Sequence, residues 1–232
     1  MHVLDNPIWH ALTGPHATLA ERAPQAARYV PDVSVFAALP DDATPPAWDD
    51  LRDLVGAGEM AFVARSDLVV PDGWSVEVRI PCRQMWLLDA LAPDSGAGPL
   101  EAGNGFRPLG AHDVPEMLAL VERTKPGPFT TRTIELGTYI GVRDGDDLVA
   151  MAGERLHPPG FTEISAVCTD ASHRGRGLAS RLVRAIVEGI WARGEKPFLH
   201  LTLENEPAHR IYAALGFDTR AFADVVGLRA PI

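Results

Sequence analysis

Apolar positions along the chain change period several times, and each change marks an element. Strand-like runs at Val33 to Leu39, Met60 to Ala64 and Trp74 to Ile80 alternate with segments of helical spacing near Trp48 to Val55 and Gln84 to Leu91, which is an α/β pattern. Prolines at 40, 45, 46, 71, 81 and 93 fall where loops are expected, since a missing N–H and a fixed φ break helices and ladders. No catalytic motif occurs in this half.

A stretch from Ala92 to Pro99, followed by Gly103-Asn104-Gly105, is small, rich in Pro and Gly and almost without apolar bulk. It predicts a domain boundary: residues 1–103 form an N-terminal α/β domain that includes a linker of about 92–105, and residues 104–232 form a second domain. In that second half, Phe106 to Leu109 reads as a strand. A helix from Asp113 to Thr124 follows, with Val114, Met117, Leu118 and Val121 at helical spacing, ended by Lys125-Pro126-Gly127-Pro128. Thr138 to Arg143 and Leu148 to Leu156 form a hairpin about Asp144-Gly145, a pair that tolerates positive φ. Thr162 to Cys168 is another strand. A helix over Leu178 to Arg193 has Leu178, Leu182, Ile186 and Ile190 along one side and Gly194 as its stop. A strand over Phe198 to Leu203, a short helix between Pro207 and Gly216, and one or two strands over Phe217 to Arg229 complete the order.

Composition narrows the class. Apolar residues make up 46% and charged residues 22%, the balance of an ordinary globular protein. No apolar run approaches the ~18 residues of a membrane span. The first residues lack the basic start and apolar stretch of a secretory signal, so a cytoplasmic location is expected. Two cysteines, Cys82 and Cys168, supply neither a disulfide framework nor a zinc-knuckle spacing, and no metal is expected. A formal charge of −10 argues against general nucleic-acid binding, which depends on Lys and Arg neutralising phosphates. An anionic ligand would need a local basic island. Residues 171–187 form one, with His173, Arg174, Arg176, Arg181 and Arg184 and no acidic residue.

Inside that island, Arg174-Gly175-Arg176-Gly177-Leu178-Ala179 joins a strand to a helix. Such a turn leaves the first helical N–H groups unpaired at the positive end of the helix dipole, a geometry that binds phosphate. A two-glycine turn is equally compatible with a plain tight connection. No G-x-x-x-x-G-K-[ST] loop is present, and the third glycine of a dinucleotide fingerprint is missing.

These residues resemble the acetyl-coenzyme A pyrophosphate motif, R/Q-x-x-G-x-G/A, of the GCN5-related N-acetyltransferases (GNAT), and match it at every specified position. Downstream, Asn205, Ala208, Tyr212, Gly216 and Phe217 match N-x-x-A-x-x-x-Y-x-x-x-G-F, a pattern that ends the fold in many members. The resemblance covers about Phe106 to Arg229 and is closest to the FR47-like branch. It implies an α/β (α+β) GNAT fold, with a mixed central sheet splayed at the acyl-coenzyme A site. The N-terminal half bears a weak likeness to a degenerate copy of the same fold.

The resemblance also implies roles. Val167, Cys168 and Thr169 would pair with the pantetheine arm. The amides of Arg174, Gly175, Arg176, Gly177, Leu178, Ala179 and Ser180 would hold the pyrophosphate. Tyr212 would give a proton to the departing thiolate, although Ala208, Ile211, Tyr212 and Leu215 fall at i, i+3, i+4 and i+7 and suit a core aromatic equally. Glu163 is the candidate base, with Glu135 and Glu154 as rivals and water as an alternative. Asn205 either binds the cofactor or caps the last helix, and His173 either touches a phosphate or shapes the turn. Cys168 is a small strand residue, not a nucleophile, because no His-Asp pair is positioned to activate its thiol. The implied function is transfer of an acetyl or short acyl group from acetyl-coenzyme A to a primary amine of a small molecule, amino acid or peptide. The alternative is a non-catalytic acyl-coenzyme A sensor. The N-terminal domain would shape the acceptor pocket or a subunit contact, as in a homodimer; no nucleic-acid or membrane partner is expected.

Overall fold

The computed structural model describes residues 2–65, 68–89, 91 and 106–232. The N-terminal elements are helix α1 (Pro7–Leu12), strands β1 (Ala20–Ala23), β2 (Ala26–Tyr29) and β3 (Ala37–Ala38), helix α2 (Pro45–Val55) and strands β4 (Met60–Arg65) and β5 (Ser75–Trp86). The expected linker at 92–105 lies outside the described residues. Beyond it come β6 (Phe106–Pro108), α3 (Val114–Thr124), β7 (Tyr139–Asp144), β8 (Asp147–Glu154), β9 (Phe161–Thr169), α4 (Leu178–Ala192), β10 (Lys196–Thr202), α5 (Glu206–Ala214) and β11 (Asp218–Arg229).

Two expectations for the N-terminal half are corrected. The run from Val33 to Leu39 is a strand only at Ala37–Ala38, because a turn closed by Ser34 N–H on the Val30 carbonyl takes its first residues. Helical spacing near Gln84 to Leu91 is misleading: β5 continues to Trp86, paired on one side with β10 and on the other with β11. Met85 and Leu87 enter the core while Gln84 faces the opposite side, so the true period there is two.

A small antiparallel sheet, β1-β2-β3, packs beside an eight-stranded mixed sheet in the order β4-β11-β5-β10-β9-β8-β7-β6. The large sheet draws on both halves of the chain, since β4 and β5 come from residues before 87 and the remaining strands from residues after 105. One face carries α4 and α5: Leu182, Val183, Ile186, Val187 and Ile190 pack on Met85, Ala150, Ala152, Ile164, Leu199 and Leu201. The other face is covered by α3, through Met117 and Leu120, and by N-terminal residues including Leu4, Ile8, Leu12 and Tyr29 around Phe198. Burying these apolar surfaces is the main driving force, at about 25 cal/mol per Å² removed from water. Among the described residues, no helix is long and apolar enough to cross a membrane.

Candidate functional site

Strands β9 and β10 are parallel neighbours only at their start. Phe161, Thr162 and Glu163 pair with Lys196, Pro197 and Phe198, and no further pair between the two strands occurs among the described residues. Beyond that point β10 keeps its other neighbour, β5, up to Thr202, while β9 stays with β8. The β8 register shifts between Met151 and Gly153, and Ala166 takes φ 53, a left-handed conformation unusual for a residue with a Cβ. This bulge lies where β9 parts from β10. Val167, Cys168 and Thr169 follow it, and the Thr169 hydroxyl is buried without a hydrogen-bond partner among the described residues.

The chain then turns into α4. Asp170 accepts the Ser172 hydroxyl (2.9 Å), the Arg123 Nε–H (2.9 Å) and the Ser172 backbone N–H (3.2 Å). These contacts, the Ser172 hydroxyl foremost, hold its carboxyl down to about 2. His173 Nε2 lies 2.9 Å from Asp144 at the end of β7, which ties this connection to the neighbouring strand. Arg174 donates from Nε to the Thr169 carbonyl (3.2 Å). Gly175 (φ 75) and Gly177 (φ 72, the N-cap of α4) are both left-handed, yet a Cβ at either would meet nothing within 4 Å. Glycine is needed there for backbone angle and not for room. The turn is exposed from Arg174 to Gly177, leaving open space over the first amides of a fifteen-residue helix.

Tyr212 lies on α5 in the same apolar cluster as Leu182, Ile186 and Leu201, stacked edge-on against Phe217 at 5.8 Å. Val167 and Leu178 pack against that cluster, so the fold gathers strand, turn and tyrosine. Burial pushes the Tyr212 phenol above its ordinary pKa, and it stays protonated. Asn205 caps α5, accepting the Ala208 N–H at 3.2 Å. The Cys168 thiol is pushed up by burial, opposite to what a nucleophile needs.

Glu163 is fully buried. Burial alone would raise its pKa, but Arg155 grips both carboxylate oxygens (2.8 and 2.7 Å) and His200 Nδ1 lies 2.7 Å from Oε1; together they hold it near 2. Such a carboxylate is a poor acceptor for a proton from an ammonium group. The rivals are also engaged. Glu154 is bound to Arg193 (2.7 Å) and to the Thr138 N–H (3.0 Å), and Glu135 to Arg132 (2.7 Å).

Sequence reasoning missed what surrounds Glu163. Gln84 Nε2 donates to the Leu4 carbonyl (2.8 Å), and Gln84 Oε1 accepts from Arg220 Nη1 (2.7 Å), which fixes the amide at both ends. Its second N–H therefore donates to His200 Nε2 (2.9 Å), leaving the imidazole proton on Nδ1 for Glu163. Arg220 also pairs with Asp5. A polar chain thus crosses β9, β10, β5 and β11 and reaches the N-terminal segment. Its signal in the sequence is slight: Gln84 precedes Met85 and Trp86, and His200 lies between Leu199 and Leu201.

A parallel pair that parts ahead of a glycine-bearing helix entry is the arrangement that the resemblance in the sequence implies, and comparison with known proteins agrees on the family. The FR47-like protein family matches residues 139–225. A crystal structure from Novosphingobium aromaticivorans, described as an acetyltransferase of the GNAT family, is 36% identical over 100% of both chains with a TM-score of 0.85. A GCN5-related N-acetyltransferase from Kribbella flavida shares the fold (TM-score 0.64, 20% identity, 97% of this chain and 95% of that one). Among curated relatives, the N-alpha-acetyltransferase RimI of Mycobacterium tuberculosis is 35% identical over 94 residues, 39% of this chain and 54% of that protein. A mycothiol acetyltransferase of Corynebacterium glutamicum is 36% identical over 75 residues, 32% of this chain and 26% of that one. The match thus spans about half of the first relative and about a quarter of the second. The chain belongs to the GCN5-related N-acetyltransferase family.

Proposed function

We propose that the protein is an N-acyltransferase that moves an acetyl or short acyl group from acetyl-coenzyme A to a primary amine, by direct attack within a ternary complex. The observation that carries this reading is the parting of β9 from β10 directly ahead of the left-handed Gly175 and Gly177. Backbone groups of Val167, Cys168 and Thr169 bind the pantetheine arm, and the buried, unpartnered Thr169 hydroxyl fits such a polar ligand. Amides from Arg174 to Ser180 hold the diphosphate, with Arg174 and Arg176 supplying positive charge in a chain that is acidic overall. The bound coenzyme supplies an acyl group activated as a thioester.

Tyr212 holds its proton because burial disfavours the phenolate, and it gives that proton to the sulfur as the acyl group leaves. Glu163, held near 2 by Arg155 and His200, stays ionised and paired with Arg155, and leaves proton removal to water. Positioning supplies much of the rate. The names of the curated relatives, an N-alpha-acetyltransferase and a mycothiol acetyltransferase, favour an amine acceptor.

Two measurements test this. Calorimetry should detect coenzyme A binding. Thiol release from acetyl-coenzyme A across alkylamines, amino acids and short peptides should then fall by about 10²-fold in Tyr212→Phe while coenzyme affinity holds. Binding without turnover on any amine would make the protein a sensor; no binding would end the proposal.

A further inference from the structure

Tyr139 opens β7, directly beside Gly153 of β8, which in turn pairs with Ser165 of β9. A Cβ at Gly153 would overlap the tyrosine ring, so the glycine allows the ring to lie flat across the sheet toward β9. The ring sits among Met117, Leu120, Met151 and Cys168, on the face opposite α4, with Phe129 edge-on at 5.7 Å. Ala166, the left-handed residue of the bulge, packs against the same cluster.

Tyr139 is only 2% exposed, yet its hydroxyl has no hydrogen-bond partner among the described residues. A buried phenol almost always has one, and leaving it unmade costs roughly 1–3 kcal/mol. Arg155, Glu163 and Glu154 lie close enough for their charges to act on this phenol, while burial raises its pKa and keeps it neutral. A neutral hydroxyl beside the bulge and within range of Glu163 is suited to a ligand that approaches the parted strands from the α3 side.

We propose that the Tyr139 hydroxyl is the hydrogen-bond partner of the acyl acceptor, and holds a primary amine with an apolar neighbouring group on the α3 side of the sheet beside Ala166. This rests on the acyltransferase reading given above. The phenol oxygen accepts an N–H of the neutral amine and leaves the nitrogen lone pair free, so Tyr139 positions the nucleophile and exchanges no proton. Phe129, Val121 and Ile134, the partly buried members of this cluster, supply the apolar wall.

The test is Tyr139→Phe in the full chain, which removes one oxygen and keeps the ring. Hexylamine and an alanine-first tripeptide serve as probe acceptors at saturating acetyl-coenzyme A. Coenzyme affinity by calorimetry should be unchanged, and kcat/KM for the better probe should fall about tenfold or more, the effect of one lost hydrogen bond. The melting temperature should hold or rise. A kcat/KM within twofold of the parent overturns the inference. So does a fall in melting temperature beyond about 4 °C, which would mean that the hydroxyl has a structural partner. If the unmodified protein turns over no amine of the panel given above, the acyltransfer reading fails and this inference with it. That failure shows in the parent, whereas failure of the Tyr139 assignment alone shows only in the variant.

Discussion

On the α4 side of the main sheet, Leu182, Ile186 and Ile190 meet Ile164, Leu199 and Leu201, and what matters is volume and spacing. One residue away along the same strands, the opposite face presents Glu163, His200 and Gln84, joined to Arg155 and Arg220, and what matters is the direction of each donor. The first face tolerates exchange of one aliphatic residue for another, typically at under about 1.5 kcal/mol. The second has no such slack, because the carboxylate of Glu163, the imidazole of His200 and the amide of Gln84 are each held by particular partners.

The comparison is broken most sharply by Arg155→Ala, which strands the fully buried Glu163 carboxylate. Denaturant unfolding should show a loss of about 3–5 kcal/mol, several times that of Ile186→Val on the apolar face at roughly 0.5–1.5 kcal/mol. Equal losses would mean that the two faces obey one rule.

Acidification should separate them next. Burial, then repulsion from His157, lowers His16 to about 4 from an ordinary 6.5. The unfolded chain therefore binds this proton first, and its contribution is complete above about pH 6.5 and lost as pH falls toward 4, amounting to a few kcal/mol at most. His16→Gln should flatten the fall in stability across that window. Glu163 has the opposite chemistry and a different window: with its pKa depressed to about 2, its contribution holds above the ordinary carboxylate range and fades only as pH drops toward 2. A variant that melts like the parent at pH 4.5 and 7 would remove His16 from the account.

An effect well below that of Arg155→Ala is expected at the helix entry. Gly177→Ala forces a side chain to φ 72 with nothing nearby to clash, so stability should drop by only about 1–2 kcal/mol. Coenzyme affinity should fall with it, as the amides turn away. Unaltered affinity would show that the backbone angle does not matter to binding.

Most of the α4 face was readable from the chain. The stripe Leu178, Leu182, Ile186, Ile190 and the glycines at 175 and 177 fix helix, turn and strand because each follows from local periodicity and backbone freedom. Asn205 as a cap was also readable, since capping needs only a neighbour three residues on. The polar face was not. Arg155 and Glu163 are eight residues apart, but Gln84 and His200 are separated by 116 and Arg220 and Asp5 by 215, and nothing local marks such pairs. Glu163 was found as a residue and not as an environment. A strand tyrosine such as Tyr139 reads in the sequence as any core aromatic, because its lack of a partner exists only in three dimensions. The extension of β5 to Trp86 was hidden for a related reason: its pairing strands lie far downstream.

Strand β5 is flanked by β10 and β11, both made more than a hundred residues later; its Arg79 meets Asp224 across 145 positions at 2.6 Å. On a ribosome that adds about 5–20 residues per second, β5 therefore waits many seconds with both edges bare. Closure of such distant pairs is intrinsically slow. A strand that leaves Val76 and Val78 in the open even in the folded protein keeps that apolar surface unpaired throughout the interval.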